Sequence, residues 1–203
     1  MRFIVEKNLE IEDFEEMEEI EQGYFASDTI PSSSQAYKWY LKNPEIEIVI
    51  RDFINNKIVA QATILPLSKE QYEKFIAGEL KDTEFTEENL LKFEDNKEYY
   101  LMFCCVAITK EYRENRMVLY WLLKALYDRI KYLESRGIKF INMCAEGQTK
   151  DGQKFLESFL DLKLMGKTKD DYQLYYYEKD YDDFNRWFTT FPKYIENYYN
   201  KFK

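Results

Sequence analysis

The sequence predicts a fold of the α/β class, in the form of an α+β domain with a mixed sheet. Three features support this prediction. Residues 99–108 (YYLMFCCVAI) contain no charge, which is typical of a strand covered on both faces. Residues 118–133 form a helix with an apolar face, and Gly137 suits the turn that ends it. Residues 138–144 indicate a second strand. Together these segments predict a right-handed βαβ unit with two parallel strands.

The N-terminal part of the chain predicts a strand, two helices and a hairpin. In chain order we expect a strand at 2–6, a helix with apolar positions from Ile11 to Tyr24, a helix at 35–41 and hairpin strands at 45–53 and 57–65. The many glutamates of the first helix are expected to form a solvated face. Serines at 32–34 can cap the second helix.

The remaining segments complete a single domain over residues 1–178. Residues 67–97 are polar with a helical pattern and predict a helical insertion before the central strand. After residue 144, a short helix around Phe155 and hairpin strands at 162–167 and 172–178 close the sheet. Residues 179–203 are rich in aromatic side chains and predict a C-terminal helical tail interrupted at Pro192.

Composition restricts the function. The net charge is -9 and there is no long basic run, so we expect no nucleic-acid partner. No apolar stretch reaches the length of a membrane span, and the first residues lack the apolar segment of a signal peptide. We therefore expect a cytoplasmic protein with no membrane partner. An acidic protein also suits a substrate that carries an amine.

The titratable side chains exclude two kinds of chemistry. The chain contains no histidine, which excludes catalysis by a Ser-His or Cys-His pair. Its cysteines, Cys104, Cys105 and Cys144, lie in apolar runs and are expected to be buried free thiols. We expect no metal site.

The turn between the uncharged strand and the long helix is the strongest functional signal. It reads TKEYRENR and places arginines and backbone amides at a helix N-terminus, where the helix dipole favours an anion such as phosphate. The other interpretation is an ordinary helix start with solvated charges.

The order of elements and this turn together resemble the GNAT superfamily of acyl-CoA N-acyltransferases, over about residues 1–178. The superfamily pattern at this turn is Val-x-Pro-x-Tyr-Arg-Gly-x-Gly-x-Gly, and Tyr112 and Arg113 match it. Glu114, Arg116 and Val118 stand in place of its glycines. The resemblance implies acetyl-CoA as the acyl donor, held without a metal.

The resemblance also implies which residues contact the donor. Backbone groups near Val106 and Ile108 would bind the pantetheine arm like an added strand. The pyrophosphate would lie on the backbone amides of the turn, which are those of Arg113, Glu114, Asn115, Arg116, Met117 and Val118. The Arg116 guanidinium can also pair with phosphate. The loss of the glycines makes this site unusual.

Catalytic residues are harder to predict. The GNAT pattern has an Asn and a general-acid Tyr where this chain has Thr149 and Leu156. Glu146, just past the predicted strand 138–144, is the candidate base, and a solvated loop carboxylate is the alternative. The resemblance places the acceptor beside the N-terminal helices, which carry Tyr24, Tyr37, Trp39 and Tyr40.

Two functions follow. The first is transfer of an acetyl group to a primary amine of a small molecule or peptide. The second is a non-catalytic binding or regulatory protein with the same fold. A homodimer is a further expectation.

Overall fold

The computed structural model describes residues 2–168 and 171–177, together with residues 193, 196, 197 and 200. Its strands are β1 (Phe3–Glu6), β2 (Glu47–Asp52), β3 (Lys57–Leu67), β4 (Glu98–Ile108), β5 (Lys139–Gly147), β6 (Lys163–Lys167) and β7 (Gln173–Tyr176). Its helices are α1 (Ile11–Gln22), α2 (Ser33–Lys42), α3 (Lys69–Ile76), α4 (Arg116–Ser135) and α5 (Lys150–Ser158). The predicted mixed fold and order of elements are confirmed.

The strands form one sheet in the order β1-β2-β3-β4-β5-β7-β6. Only the central pair, β4 and β5, is parallel among the described strands, and every other neighbouring pair is antiparallel. Helix α4 connects these two strands, as the sequence predicts. Gly137 has a φ of 78° after this helix, a conformation that costs glycine little, and an added Cβ there would collide with Asn96.

Helices cover the two faces of the sheet. Helix α4 packs against β1, β2 and β3 over the larger core, where Val118, Leu122 and Leu126 are buried. Helices α1 and α2 pack on each other, and α1 contacts β3 and β4. The second core cluster contains Phe14 and Met17 of α1 together with Cys105 of β4. The absence of charge from residues 99–108 of β4 is therefore explained by burial on both faces.

The sheet opens in its centre, because β4 and β5 pair only up to Phe103 and Ala145. On its other edge, β4 stays paired with β3 as far as Ile108. The register with β3 moves from Cys105 directly to Phe103, so Cys104 is the extra residue of a β-bulge. A bulge bends the strand that contains it. The bulge at Cys104 therefore coincides with the point where β4 leaves β5.

The structure corrects two predicted elements and leaves one untested. The insertion 67–97 is not helical throughout, because α3 ends at Ile76 and Gly78 follows with a φ of 70°. Beyond a single 3-10 turn, this segment buries Phe85 and Leu90 through irregular backbone. Strand β5 is longer than residues 138–144 and extends to Gly147. The predicted tail lies outside the described residues, except for the four isolated helical positions.

Candidate active site

The half of β4 beyond the bulge presents unpaired backbone toward β5. The Thr109 amide donates to the Val59 carbonyl at 3.0 Å, so the backbone of Thr109 faces β3. Hydrogen-bonding groups of successive strand residues face alternate edges. The N–H and C=O groups of Val106 and Ile108 therefore face away from β3, toward the gap. We call the backbone of residues 104–108 on this side the open edge.

A cavity of about 510 Å³ lies at the open edge. It is lined by β4 from Met102 to Ile108, by the N-terminal helices, by the insertion and by α5. Of the residues predicted to bind the donor or to act as the base, Val106, Ile108, Arg113 and Glu146 line the cavity. The described lining does not include Glu114, Asn115, Arg116, Met117 and Val118.

The turn before α4 is held by its own hydrogen bonds. The Asn115 side chain accepts a hydrogen bond from the Met117 amide at 3.1 Å, and the Val118 amide donates to the Asn115 carbonyl at 3.0 Å. Several of the amides predicted to bind pyrophosphate are thus used within the turn. Glu114, Arg116 and Met117 are exposed, whereas Val118 is buried in the core.

Arg113 is the side chain of this turn that reaches the cavity. Its guanidinium forms an ion pair with Asp151, in the first turn of α5, and lies 5.4 Å from the centre of the Tyr24 ring. Both charged side chains are at least half exposed, so solvent weakens the pair. A phosphate anion could compete with Asp151 for this arginine.

Tyr112, the other residue of the turn that matches the superfamily pattern, has a structural role. It is buried, and its hydroxyl donates to the Asp52 carboxylate at 2.6 Å. Arg2 also donates to this carboxylate at 2.8 Å, and its guanidinium keeps the Asp52 pKa well below the usual value. Tyr112 therefore fixes the turn onto the first two strands.

The segment between α1 and α2 crosses the gap in the sheet. The Tyr24 hydroxyl donates to the Ile108 carbonyl at 2.6 Å, on the open edge. Five residues later, Thr29 hydrogen-bonds the Gln148 side chain at 3.1 Å, just after β5. The segment thus contacts both sides of the gap. Tyr24 already occupies one of the backbone acceptors that the sequence assigned to pantetheine.

Glu146 lies inside β5, not in a loop beyond it, which corrects the predicted position. It pairs with Leu174 of β7, and its carboxylate accepts a hydrogen bond from Gln148 Nε2 at 2.8 Å. The charge is tolerated in the strand because pairing with β4 has ended at Ala145, which leaves Glu146 beside the cavity. Gly147 follows where an added Cβ would lie 2.8 Å from the Tyr175 ring.

Three further carboxylates line the cavity near the bulge, at the end of the open edge away from Arg113. The Gln61 amide donates to Glu21 at 2.6 Å, and the Thr63 hydroxyl donates to Glu47 at 2.9 Å. The Cys104 thiol donates to Asp82 at 3.3 Å. Desolvation raises the pKa of Glu21 to about 7 and that of Glu47 to about 8, and it also raises the pKa of Asp82.

Comparisons with known proteins find the fold but no close relative. No family model matches the chain, and no curated protein matches it. The chain is similar to the loading GNATL domain of CurA from Lyngbya majuscula at 12% identity, with 90% of this chain and 100% of that chain covered and a TM-score of 0.55. It is similar to a GNAT-family acetyltransferase from Streptococcus agalactiae at 16% identity, with 88% and 96% covered and a TM-score of 0.52.

A third similar structure is the NatB acetyltransferase complex bound to CoA and MES, at 8% identity, with 87% of this chain and 97% of that chain covered and a TM-score of 0.52. Together with the parallel central strands and their gap, these similarities decide the fold. The fold is that of the GNAT acetyltransferases. The resemblance seen in the sequence is thereby confirmed at the level of the fold.

The general-acid tyrosine of the GNAT pattern is absent from the position that the pattern assigns to it. Leu156 lies there, and it is buried at the cavity wall. Thr149 instead caps α5, since its hydroxyl accepts a hydrogen bond from the Gly152 amide at 3.0 Å. Among the described lining residues, Tyr24 is the only phenol.

The expected aromatic residues divide into two groups. Tyr24 and Trp39 line the cavity. Tyr37 and Tyr40 are absent from the described lining and pack against Phe14 instead.

Sequence reasoning missed the carboxylates at the far end of this GNAT cavity. Glu21 belongs to a helix whose glutamates were expected to be solvated, yet it is 8% exposed and faces the cavity. Glu47 did carry a signal, because it directly precedes the apolar run Ile48–Ile50, and a charged residue that is buried with such a run must find a partner or a cavity.

The expected absence of a metal site and of a membrane-spanning segment can be compared with the described residues only. There, no group of three or more His, Cys, Asp or Glu residues could hold a metal ion. No helix within the described ranges is long and apolar enough to cross a membrane. All three cysteines are free, and Cys105 and Cys144 are buried while Cys104 is partly exposed.

Proposed function

We propose that the protein is a divergent GNAT acyltransferase that transfers an acetyl group from acetyl-CoA to a primary amine. The observation that carries this proposal is the open edge of β4 inside a large cavity. Unpaired strand edges bind extended ligands through backbone hydrogen bonds. The amide N–H and C=O of Val106 would pair with the amides of the pantetheine arm.

The charge distribution of the cavity indicates how acetyl-CoA would be oriented in it. Arg113 and Lys154 line the cavity beside the N-termini of α4 and α5, where a phosphate group would be held. The carboxylates Glu21 and Glu47 lie toward α1 and β2. The anionic end of acetyl-CoA would therefore bind near Arg113, with its thioester directed along β4 toward the bulge.

Residues Arg113 to Val118 would contribute unequally to this site. The Arg113 guanidinium would pair with a phosphate group after leaving Asp151. Glu114, Asn115, Arg116, Met117 and Val118 would support the site through the position of the turn and the dipole of α4. This division explains how the turn could bind an anion without the glycines of the GNAT pattern.

Glu146 is the proposed base. The amine nitrogen would attack the thioester carbonyl carbon, the C–N bond would form and the C–S bond would break. Glu146, directly or through a water molecule, would take the proton that the nitrogen loses, and the departing thiolate would gain a proton from water. Backbone N–H groups of the open edge would polarise the thioester carbonyl during the attack.

The fold supports this proposal independently of the site. The NatB complex, which is similar in structure, is bound to CoA. The alternative is a non-catalytic CoA-binding protein, and Leu156 in place of the general-acid tyrosine favours it. The two functions differ in turnover and not in CoA affinity.

Incubation of the protein with acetyl-CoA and a panel of amines, followed by mass spectrometry of the products, tests the proposal. We expect an amine product heavier by one acetyl group, together with an equal amount of free CoA. CoA binding without any acetylated amine would favour the non-catalytic alternative. Absence of both binding and transfer, in a folded sample, would contradict the assignment to acyl-CoA chemistry.

A further inference from the structure

The segment between α1 and α2, residues 23–32, connects the two sides of the gap in the sheet, and we call it the strap. Near its start, the Tyr24 hydroxyl donates a hydrogen bond to the Ile108 carbonyl of β4 at 2.6 Å. Further along, Thr29 forms a hydrogen bond with Gln148, which follows β5, at 3.1 Å. The strap therefore bridges β4 and β5 beyond the point where these two strands have separated.

Tyr24 occupies a backbone group that the proposed donor needs. The carbonyl groups of Val106 and Ile108 face away from β3, toward the gap. A ligand that pairs with the open edge as an added strand uses these same groups. Tyr24 also lines the cavity, so its side chain takes space at the open edge as well as the Ile108 acceptor. A ligand can therefore pair with Ile108 only after the phenol has left.

Arg113 connects this phenol to the proposed phosphate site. Its guanidinium lies 5.4 Å from the centre of the Tyr24 ring and forms an ion pair with Asp151 of α5. A cation near the face of an aromatic ring is attracted to that ring. A phosphate group that draws Arg113 away from Asp151 also changes its contact with the phenol. The anionic end of the donor therefore acts on the arginine that contacts Tyr24.

The strap is free to move, and the structure has room for the displaced phenol. None of residues 23–32 is buried. Segments with few buried apolar contacts open locally at a low free-energy cost. Tyr24 also borders a second cavity, of about 370 Å³, together with Thr109 and Lys110. The phenol can thus leave the main cavity through movement of the strap, without unfolding of α1.

We propose that Tyr24 is an autoinhibitory gate of the donor site, an inference that rests on the acyl-CoA function proposed above. In the free protein, the hydroxyl holds the Ile108 carbonyl and the strap is closed. The pantetheine arm of acetyl-CoA displaces Tyr24 from Ile108, and the strap opens. Because CoA pairs only with the open state, the closed strap lowers the apparent affinity for CoA.

Removal of the Tyr24 hydroxyl tests the gate directly. Tyr24→Phe keeps the ring beside Arg113 and removes the donor to Ile108. The dissociation constant for CoA, measured by calorimetry, should fall by about three- to tenfold, because the ligand no longer has to break this hydrogen bond. An unchanged value would show that the hydroxyl does not compete with CoA. A raised value would show that it contacts CoA, and either result overturns the proposal.

Tyr40→Phe is the matched control. The Tyr40 hydroxyl also donates to a backbone carbonyl, that of Lys7 at 3.2 Å, but Tyr40 is absent from the described cavity lining. Loss of this hydroxyl should leave the affinity for CoA unchanged. Tighter CoA binding in both variants would point to a general loosening of the N-terminal helices and would overturn the assignment to Tyr24.

Hydrogen–deuterium exchange over residues 23–32 follows the strap itself. Saturating CoA should speed the exchange of these residues in the unmodified protein, because the strap opens. Tyr24→Phe should show faster exchange there even without CoA. Unchanged or slower exchange over the strap on CoA binding would overturn the proposal, since the strap would then stay closed or close onto the ligand.

Calorimetry separates the gate from the proposed function. If CoA binds both the unmodified protein and Tyr24→Phe with equal affinity, the acyl-CoA function stands and only the gate is overturned. If CoA binds neither protein, in folded samples, the proposed function fails and the gate fails with it. Binding to Tyr24→Phe alone would support both proposals.

Discussion

The two ends of the cavity offer different kinds of contact to a ligand. At the open edge, the contacts come from the backbone of β4, and the side chains of Val106 and Ile108 are apolar. At the other end, the polar groups are the side chains of Glu21 and Glu47, which are fixed by hydrogen bonds from Gln61 and Thr63. Backbone contacts depend on strand geometry and not on side-chain identity.

This difference explains how the donor site can diverge in sequence. The turn has lost its glycines, yet the bulge at Cys104 and the parallel pair β4 and β5 keep the open edge in place. At Glu21 and Glu47, by contrast, replacement of the side chain removes the polar group itself. We therefore expect variants at the two ends to affect different kinetic constants.

The largest effect is expected at Glu146, the proposed base beside the open edge. Glu146→Gln keeps the size and polarity of the side chain and removes its basicity. The value of kcat at neutral pH should therefore fall by roughly 10². The affinity for CoA should stay unchanged, as measured by calorimetry. Full activity of the variant across pH would show that Glu146 is not the base.

At the open edge, Val106→Pro removes one N–H that faces the gap and leaves pairing with β3 intact. The dissociation constant for CoA should rise by about tenfold or more, because a donor to the pantetheine arm is lost. Val106→Ala keeps the N–H and is the matched control, for which little change is expected. Equal affinities of the two variants, with the same circular dichroism spectrum, would argue against backbone recognition.

A smaller effect is expected from the exposed pair of Arg113 and Asp151. Arg113→Ala should weaken CoA binding by about two- to fivefold, since an exposed charge contributes modestly. Asp151→Asn should do the opposite and tighten binding slightly, because the arginine no longer has a competing partner. Changes of the same sign in both variants would show that the pair acts as a structural link.

The smallest effect concerns the contribution of Glu47 and Glu21 to the stability of the folded protein. Because the pKa of Glu47 is raised to about 8 in the folded state, its contribution to stability is present below the unfolded pKa and is lost as pH rises toward 8. Glu21 has a pKa raised to about 7 and acts in the same direction. Thermal unfolding at pH 6 and pH 8 should show a Tm difference that Glu47→Gln reduces by about 2 °C or more.

Most of the fold could be predicted from the sequence, because the decisive elements are buried, β4 on both faces and α4 along one. The absence of charge from residues 99–108 and the apolar face of α4 follow directly from that burial. The end of β5 was missed because Glu146 carries a charge. A charge is compatible with this strand only because β4 has already separated from it, which is a tertiary feature.

The site was less predictable than the fold. The bulge at Cys104 has no signal in the run YYLMFCCVAI, since any of its residues could be the extra one. Glu21 did carry a signal, because it follows Met17 by four residues and so lies on the apolar face of α1, the face that packs over β3 and β4. Arg113 and Arg116 lie in the same basic turn, yet Arg113 alone of the two is among the described residues that line the cavity.

Hydrogen–deuterium exchange with and without saturating CoA is the most direct test of the open edge as the donor site. Peptides that cover residues 104–109 should exchange more slowly when CoA is bound, because the amides of Val106 and Ile108 then donate to the ligand. Peptides that cover residues 57–67 should not change, because this strand is already paired with β2 over residues 57–63 and with β4 over residues 60–67. Unchanged exchange over residues 104–109, with CoA binding verified by calorimetry, would contradict the account.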